Sequence, residues 1–196
     1  MTNTSSRAYK INIKNPVYCL VLTDESTGTT YGPVKSLGEA QQAQVTASSA
    51  TGSLYGNGAK VDSSAKLTGL TLALDSTKVP VEAKADIFDY TVTNGVVQVK
   101  AGAQPKYIAV GYEVEQTSGK SEYIWLLKGR PQPMNENAAQ SETNINYSTD
   151  QLTVEFVERV SDGMLEFFAD GANEDFSDAQ AAKWFTNGPS APVSGS

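Results

Sequence analysis

At 196 residues, of which 39% are hydrophobic, the chain is long enough for one β-rich domain, and we expect a single one. It has no histidine and one cysteine, which excludes a Ser-His-Asp triad, a Cys-His pair, the commonest zinc ligand and a disulfide within the chain. A net charge of −7 argues against tight binding to nucleic-acid phosphates.

The negative charge is concentrated in the last third of the sequence. Residues 1–131 carry 13 basic and 11 acidic side chains, whereas residues 132–196 carry 2 basic and 11 acidic ones. Ordinary solubility is one explanation. The other is that complementary surfaces meet between copies of the chain, as head-to-tail assembly requires.

The N-terminal region predicts an arm and then a buried strand. Residues 1–8 are predicted to be a flexible arm without a secretory signal, and no apolar run approaches the roughly 20 residues of a membrane span. The strand within Tyr9–Thr23 contains Val17–Leu22, which is apolar on both faces and should be covered on both. Cys19 lies there and is predicted to be a buried small hydrophobic residue. A short strand over Thr29–Val34 follows.

Residues 39–75 are predicted to form one long β-hairpin, which we call the ribbon. Its outgoing arm is small and polar over residues 43–50, and its returning arm alternates Leu70, Leu72 and Leu74 with smaller residues. This alternation is typical of a half-buried strand, but a hairpin that is long and otherwise poor in large apolar residues is marginally stable alone. We therefore expect the missing partner of the ribbon to be another chain.

The pattern changes to a helical one after the ribbon. A short amphipathic helix is predicted over residues 80–89, with Ser and Thr residues before it as caps and with Val81, Ala85 and Phe88 on its buried stripe. Asn94-Gly95 is a strong signal for a hairpin turn.

Two core strands, the alternating Tyr107–Glu115 and the apolar Tyr123–Leu127, are predicted to be the centre of the sandwich. Residues 130–147 form a long polar connection, and connections of that length in a compact domain usually have a function or are mobile. A further strand over Leu152–Phe156 follows this connection, and Asp162-Gly163 turns the chain into Met164–Ala169.

The C-terminal region predicts a second short helix. Ser177 and Gln180 have the spacing of a capping box at its start, and residues 187–196 are predicted to be a tail or linker. The fold predicted for the whole chain is a mainly β, antiparallel sandwich of two packed sheets, with a long hairpin and one or two short flanking helices.

No catalytic, cofactor or metal site is predicted. The acidic residues between 170 and 178 lack the register of a calcium loop, and carboxylates before a helix are favoured by its dipole in any case. The glycine-rich tip of the ribbon is not followed by the helix that a phosphate loop requires.

Several short motifs occur in an order that is similar to a known family. They are Lys14–Tyr18, Tyr31–Val34, Gly52–Tyr55, Leu67–Leu72, Val79-Pro80, Gly111-Tyr112 and Trp125–Gly129. Over Tyr9–Phe185 the chain resembles the major tail proteins, or tail tube proteins, of bacteriophages with long, non-contractile tails (siphoviruses). It departs from many of them at Gly56-Asn57-Gly58, where they carry acidic and bulkier residues.

The resemblance implies two antiparallel sheets packed face to face with a helix at the flank. It implies rings, usually of six copies, stacked into a tube whose lumen DNA crosses at infection without specific binding. The implied partners are further copies of the chain, a tape-measure protein, and the terminator and distal tail proteins. The implied location is the virion, after synthesis in the cytoplasm of the host bacterium.

On this interpretation the assembly contacts fall on the ribbon and on the long connection. The residues are Val45, Ala47, Leu54, Tyr55, Leu67, Leu70, Leu72, Leu74, Pro131, Pro133 and Asn135. Leu70→Asp or Leu72→Asp is then expected to abolish assembly. Two other functions remain open: a monomeric β-sandwich of a virion that binds carbohydrate or a host surface, and, least favoured, an enzyme that uses a carboxylate pair.

Overall fold

The structure is a computed structural model that describes residues 8–57, 59–134 and 149–190. These residues form eleven β-strands and two short α-helices, so the predicted mainly β fold is confirmed. In chain order the elements are β1 (Lys10–Glu25), β2 (Gly28–Tyr31), β3 (Lys35–Ser36), β4 (Ala40–Gly56), β5 (Ala59–Ser76), α1 (Val81–Phe88), β6 (Thr91–Thr93), β7 (Val96–Gln98), β8 (Ile108–Gln116), β9 (Ser121–Pro131), β10 (Asp150–Phe156), β11 (Glu166–Asp170) and α2 (Asp178–Lys183).

Nine of the strands form one antiparallel sheet. Its order is β2-β1-β8-β9-β10-β5-β4, with β3 also paired to β1 and β11 also paired to β9. Strand β9 is where the sheet divides, because its first half pairs with β11 and its end pairs with β10. Strands β6 and β7 form a separate hairpin around Asn94 and Gly95, whose positive φ angles of 51° and 78° fit the predicted turn.

The main core lies between two parts of this sheet and gives the molecule its sandwich-like form. One part consists of β1, β8 and β9, and the other of β10, β5 and β4. The β8–β9 pair is central, as predicted. The strands contribute to this core buried side chains that include Tyr18, Leu70, Leu72, Leu74, Ile108, Val110, Leu126, Leu152, Val154 and Phe156, and helix α1 adds Ile87 and Phe88.

A second, smaller core lies on the opposite face of β1, β8 and β9. It contains Cys19 and Trp125, and Trp184 and Phe185 from the C-terminal segment pack against it. The Trp125 Nε1–H donates a hydrogen bond of 3.0 Å to the carbonyl oxygen of Trp184. The prediction that Val17–Leu22 is covered on both faces is therefore confirmed around Cys19, whereas Leu22 at its end is exposed.

Two glycines permit the closest approaches in these cores. A Cβ atom on Gly111 would lie 2.8 Å from ring atoms of both Trp125 and Phe185, and one on Gly129 would lie 2.6 Å from Val154 Cγ1. Since a real Cβ never approaches so closely, a larger residue at either position would displace the neighbouring strand or ring.

Helix α1 confirms the predicted helix but not all of its details. Ala85 and Phe88 are buried as predicted, whereas Val81 is exposed, because the buried side of the helix is centred on Ala83 and Ile87. The residue that caps the helix is Pro80, which makes no side-chain cap, so the predicted Ser or Thr cap is wrong.

Helix α2 begins with the predicted capping box. The Ser177 hydroxyl accepts from the Gln180 backbone N–H at 3.3 Å, and Gln180 Oε1 accepts from the Ser177 backbone N–H at 2.8 Å. This box positions the turn that carries Trp184 and Phe185 onto the second core.

Two predicted irregular segments are shorter than expected. The connection predicted over residues 130–147 begins after Pro131, because Pro131 ends β9 and pairs with Val154, and a proline at a strand end costs the sheet little. The predicted tail at 187–196 begins later too: Gly188 lies against Tyr31, and Pro189 is buried. Residues 1–7 of the predicted N-terminal arm lie outside the described residues.

A buried ion pair joins β1 to β9. Lys128 Nζ lies 2.6 Å from Asp24 Oδ2, and the exposed fractions of the two side chains are 13% and 6%. Asp24 also accepts hydrogen bonds from Thr29 Oγ1 at 2.8 Å and from the Val160 backbone N–H at 2.9 Å. Burial alone would raise the pKa of Asp24, but these hydrogen bonds and the charge of Lys128 outweigh it and lower the pKa to about 2.

Candidate assembly surface

The ribbon is present as predicted and extends beyond the sandwich. It consists of β4 and β5, which pair from Ala40 with Ser76 to Gly56 with Ala59. Strand β10 covers the other edge of β5 only from Ser76 to Leu70. Within the described residues, the outer part of the ribbon (residues 48–69) therefore has two strands and no further strand on either side. Such edges present unpaired backbone groups to any strand that approaches.

The pairing register assigns the side chains of the ribbon to two faces. Val45 pairs with Leu72 and Ala47 pairs with Leu70, so these residues share the face that points to the main core. We call its continuation the core-side face. From β4 it carries Ala43, Val45, Ala47, Ser49, Thr51, Ser53 and Tyr55. Opposite the last four of these, β5 contributes Leu67, Ala65, Ser63 and Lys60, in that order.

The other face of the ribbon, which we call the polar face, contains small and polar side chains along most of its length. Its β4 residues are Gln42, Gln44, Thr46, Ser48, Ala50, Gly52 and Leu54, and their β5 partners are Asp75, Ala73, Thr71, Gly69, Lys66, Ser64 and Asp62. Neighbouring strand β10 continues it with Gln151, whose amide donates to Asp75 at 2.8 Å. Up to Leu54, no residue larger than alanine on this face is apolar.

A β-bulge determines where Leu67 lies. The register shifts between Ser48 and Ser49, which inserts Thr68 as an extra residue in β5. Counting in twos from Leu70 would place Leu67 on the polar face. The bulge moves it to the core-side face, where it is opposite Ser49.

The predicted assembly residues on the ribbon divide into an exposed and a buried group. Val45, Ala47, Leu54, Tyr55 and Leu67 are exposed, with 63% of Leu54 and 69% of Tyr55 accessible. They are available to a second chain.

Leu70, Leu72 and Leu74 belong to the buried group. Leu72 and Leu74 have no exposed surface and Leu70 retains 7%, because the three side chains fill the chain's own core. Placing them on an assembly surface was therefore wrong. An aspartate at Leu70 or Leu72 would disrupt the fold before it could report on assembly.

The predicted contacts on the long connection receive little support. Pro131 is buried at the end of β9, so it too is unsuited to contact another chain, whereas Pro133 is exposed. Asn135 lies outside the described residues.

An open groove lies beside the base of the ribbon, and no sequence pattern predicted it. Its volume is about 880 Å³, and it is lined by parts of β1, β4, β8, β9 and β11. The core residues Tyr112 and Ile124 and ribbon residue Val45 line it, and Ile11 and Phe168, both more than half exposed, lie beside them. One feature of the sequence could have indicated an apolar surface here. Phe167 and Phe168 are adjacent in a strand and therefore point to opposite faces, so Phe167 packs against the second core and Phe168 is left at the groove.

The structure places little reactive chemistry near these surfaces. Burial raises the pKa of the Cys19 thiol to about 12, so the thiol is protonated at neutral pH and is a poor nucleophile. Among the described residues, no three His, Cys, Asp or Glu side chains are grouped so that they could hold a metal ion. Over the same residues, neither helix is long and apolar enough to cross a membrane.

No protein-family model matches the sequence, and no curated protein sequence matches it significantly.

Proposed function

We propose that the chain is a structural subunit that assembles through its ribbon into stacked rings, and that these rings form the tail tube of a long-tailed bacteriophage. The observation that carries the proposal is the outer part of the ribbon, which has two strand edges that no other described strand pairs with. Pairing with strands of neighbouring copies would satisfy those edges and close the sheet into a barrel, which removes edges altogether.

The polar face of the ribbon supports the same proposal. A wall that faces water and passing DNA needs hydrophilic side chains without a cluster of cations, because lysine and arginine clusters bind phosphates. On the ribbon this face has a single lysine, Lys66, and two aspartates, Asp62 and Asp75. We therefore propose that the polar face lines the lumen and that DNA passes it without specific binding.

The experiment that tests this proposal is removal of the outer part of the ribbon. In the variant, an Asn-Gly turn replaces residues 48–69 and connects Ala47 directly to its pairing partner Leu70. The three core leucines are retained, so we expect a folded monomer with the thermal stability of the full chain. At high concentration the full chain should form rings or tubes in negative-stain electron microscopy, and the variant should not.

Two results would count against the proposal. Tubes from the shortened variant would show that copies meet elsewhere. A full chain that stays monomeric at millimolar concentration by light scattering would remove the assembly function itself.

One observation favours a second function, a carbohydrate- or host-surface-binding module. A cleft of about 750 Å³ lies between β11 and α2 and is lined by Phe168, Phe176 and Trp184. The Trp184 Nε1–H is buried and has no hydrogen-bond partner among the described residues. Aromatic side chains that line a cleft suit a ligand such as a sugar, whose ring stacks on them. Glycan-array binding by a monomer, lost in Trp184→Phe, would favour this module over the tube.

A further inference from the structure

The groove beside the ribbon base is an incomplete part of the sandwich. Tyr112 and Ile124 are core residues that line it, so the main core reaches the surface there. Glu166 in its lining is exposed, and its carboxylate makes no hydrogen bond or ion pair with any described residue. By contrast, Glu122 on the same groove is paired with Lys10 at 2.6 Å. The groove thus combines an apolar surface with two carboxylates that no described cation pairs: Glu166, and Asp170, which accepts hydrogen bonds only from Gln116 Nε2 and the Ala172 backbone N–H.

The ribbon tip has the complementary composition. Tyr55 and Lys60 are opposite each other in the register and therefore lie side by side on the core-side face. Tyr55 is 69% exposed, and the exposed Lys60 ammonium group has no ion pair or hydrogen bond with any described residue. An aromatic ring beside an unpaired cation is what an apolar groove with an unpaired carboxylate would accept.

The ribbon of the same copy cannot fill its own groove. Val45, which lines the groove, and Tyr55, at the tip, belong to the same extended strand. They are ten residues apart, and at about 3.3 Å per residue the tip lies roughly 33 Å from the groove. An occupant from this chain's ribbon must therefore come from a second copy.

We infer that the core-side face of the ribbon tip, through Tyr55 and Lys60, docks into the groove of a neighbouring copy, where Lys60 pairs with Glu166. The inference rests on the proposed assembly and specifies which two surfaces meet in it. Tip and groove are different surfaces, so the contact is heterologous, and such contacts generate rings or continuing stacks.

A charge exchange tests the pairing. Lys60→Glu places two negative charges together, and Glu166→Lys places two positive charges together. Each change should raise the protein concentration at which oligomers appear by about tenfold or more. The double variant restores opposite charges and should return that concentration to within about threefold of the unmodified chain, because coupled residues compensate each other.

Lys66→Glu is the matched control. Lys66 is also an exposed ribbon lysine without a partner among the described residues, but its pairing with Ala50 places it on the polar face. The same change of charge there should leave assembly within about threefold of the unmodified chain. Circular dichroism melts of all the variants as dilute monomers separate a folding defect from an assembly defect.

The outcomes distinguish this inference from the proposed function. If the unmodified chain assembles but Lys60→Glu has no effect, or the double variant fails to recover, the tip does not dock in the groove although assembly is real. If Lys66→Glu is as harmful as Lys60→Glu, the effect is general electrostatics and the pairing is wrong. If the unmodified chain does not assemble at any concentration, the proposed function itself fails.

Discussion

Asp24 is the residue whose ionisation contributes most clearly to the stability of the fold. Its carboxylate is almost fully buried and bonded to Lys128, Thr29 and the Val160 backbone, and its pKa is about 2 instead of the usual value near 3.8. The folded state therefore binds the proton less readily than the unfolded state does. This preference is worth about 2 kcal/mol, it is fully present above pH 4, and it is lost as the pH falls towards 2.

Asp24→Asn should therefore lower the free energy of unfolding by about 2 kcal/mol or more at pH 7, because it also leaves the buried Lys128 charge without its counter-charge. Urea unfolding of both proteins between pH 7 and pH 2 measures this. The difference between the two should shrink as the pH falls from 4 to 2.

The control for this experiment is Asp175→Asn. The Asp175 side chain is exposed and bonds no described residue, so its replacement should change stability by less than about 0.5 kcal/mol. A difference between Asp24→Asn and the unmodified chain that stays constant down to pH 2 would contradict the assigned role of Asp24.

The ribbon illustrates, at the scale of an element, what the sequence could predict and what it could not. The alternation of Leu70, Leu72 and Leu74 correctly predicts a strand with one buried face. It does not say what buries that face, because alternation reports only that an apolar partner exists. The face is buried by the facing strands β1, β8 and β9, whose core residues, such as Ile108, Val110 and Leu126, are distant from the ribbon in sequence.

Other features of the ribbon depend on backbone geometry that a single sequence does not reveal. The bulge at Thr68 reverses the side of Leu67, and the groove exists only because β11 and β4 leave the core uncovered. Helix α1 shows the same limit. The sequence correctly predicts a helix, but the buried side of that helix is centred on Ala83 and Ile87 and does not include Val81. Two local signals with a fixed spacing, the capping box at Ser177 and Gln180 and the Asn94-Gly95 turn, are predicted correctly, whereas the cap of α1 is not.

The ribbon has a base that packs in the core and an exposed outer part. Leucine substitutions in the two parts should therefore change the stability of the monomer by different amounts. Leu72→Ala should lower the free energy of unfolding of the monomer by 2–5 kcal/mol, roughly the range for a fully buried leucine. Leu67→Ala, at a side chain that is about half exposed, should lower it by less than about 1 kcal/mol.

Chemical unfolding of dilute protein measures both changes in stability. Light scattering of concentrated protein measures assembly. Leu67→Ala should weaken assembly while leaving the monomer stable. Equal losses of stability from the two changes would mean that the outer part of the ribbon is held by its own chain.

At the scale of the whole molecule, the charge distribution agrees with contacts between unlike surfaces. Lys60 lies on the core-side face of the ribbon tip, whereas Glu166 and Asp170 lie on β11 at the groove. Copies related by a head-to-tail contact would bring these charges together, and copies related by a two-fold axis through the groove would bring like charges together. The sequence predicted the asymmetry, and the fold supplies the positions on which the charges lie.

The most direct test of the account is a cryo-electron microscopy reconstruction of the protein assembled at high concentration. We predict rings in which the ribbons form the inner wall, with Thr46, Ser48 and Gly52 facing the lumen and the ribbon edges paired between copies. A reconstruction in which the ribbons lie on the outer surface, or in which their edges remain unpaired, would contradict it.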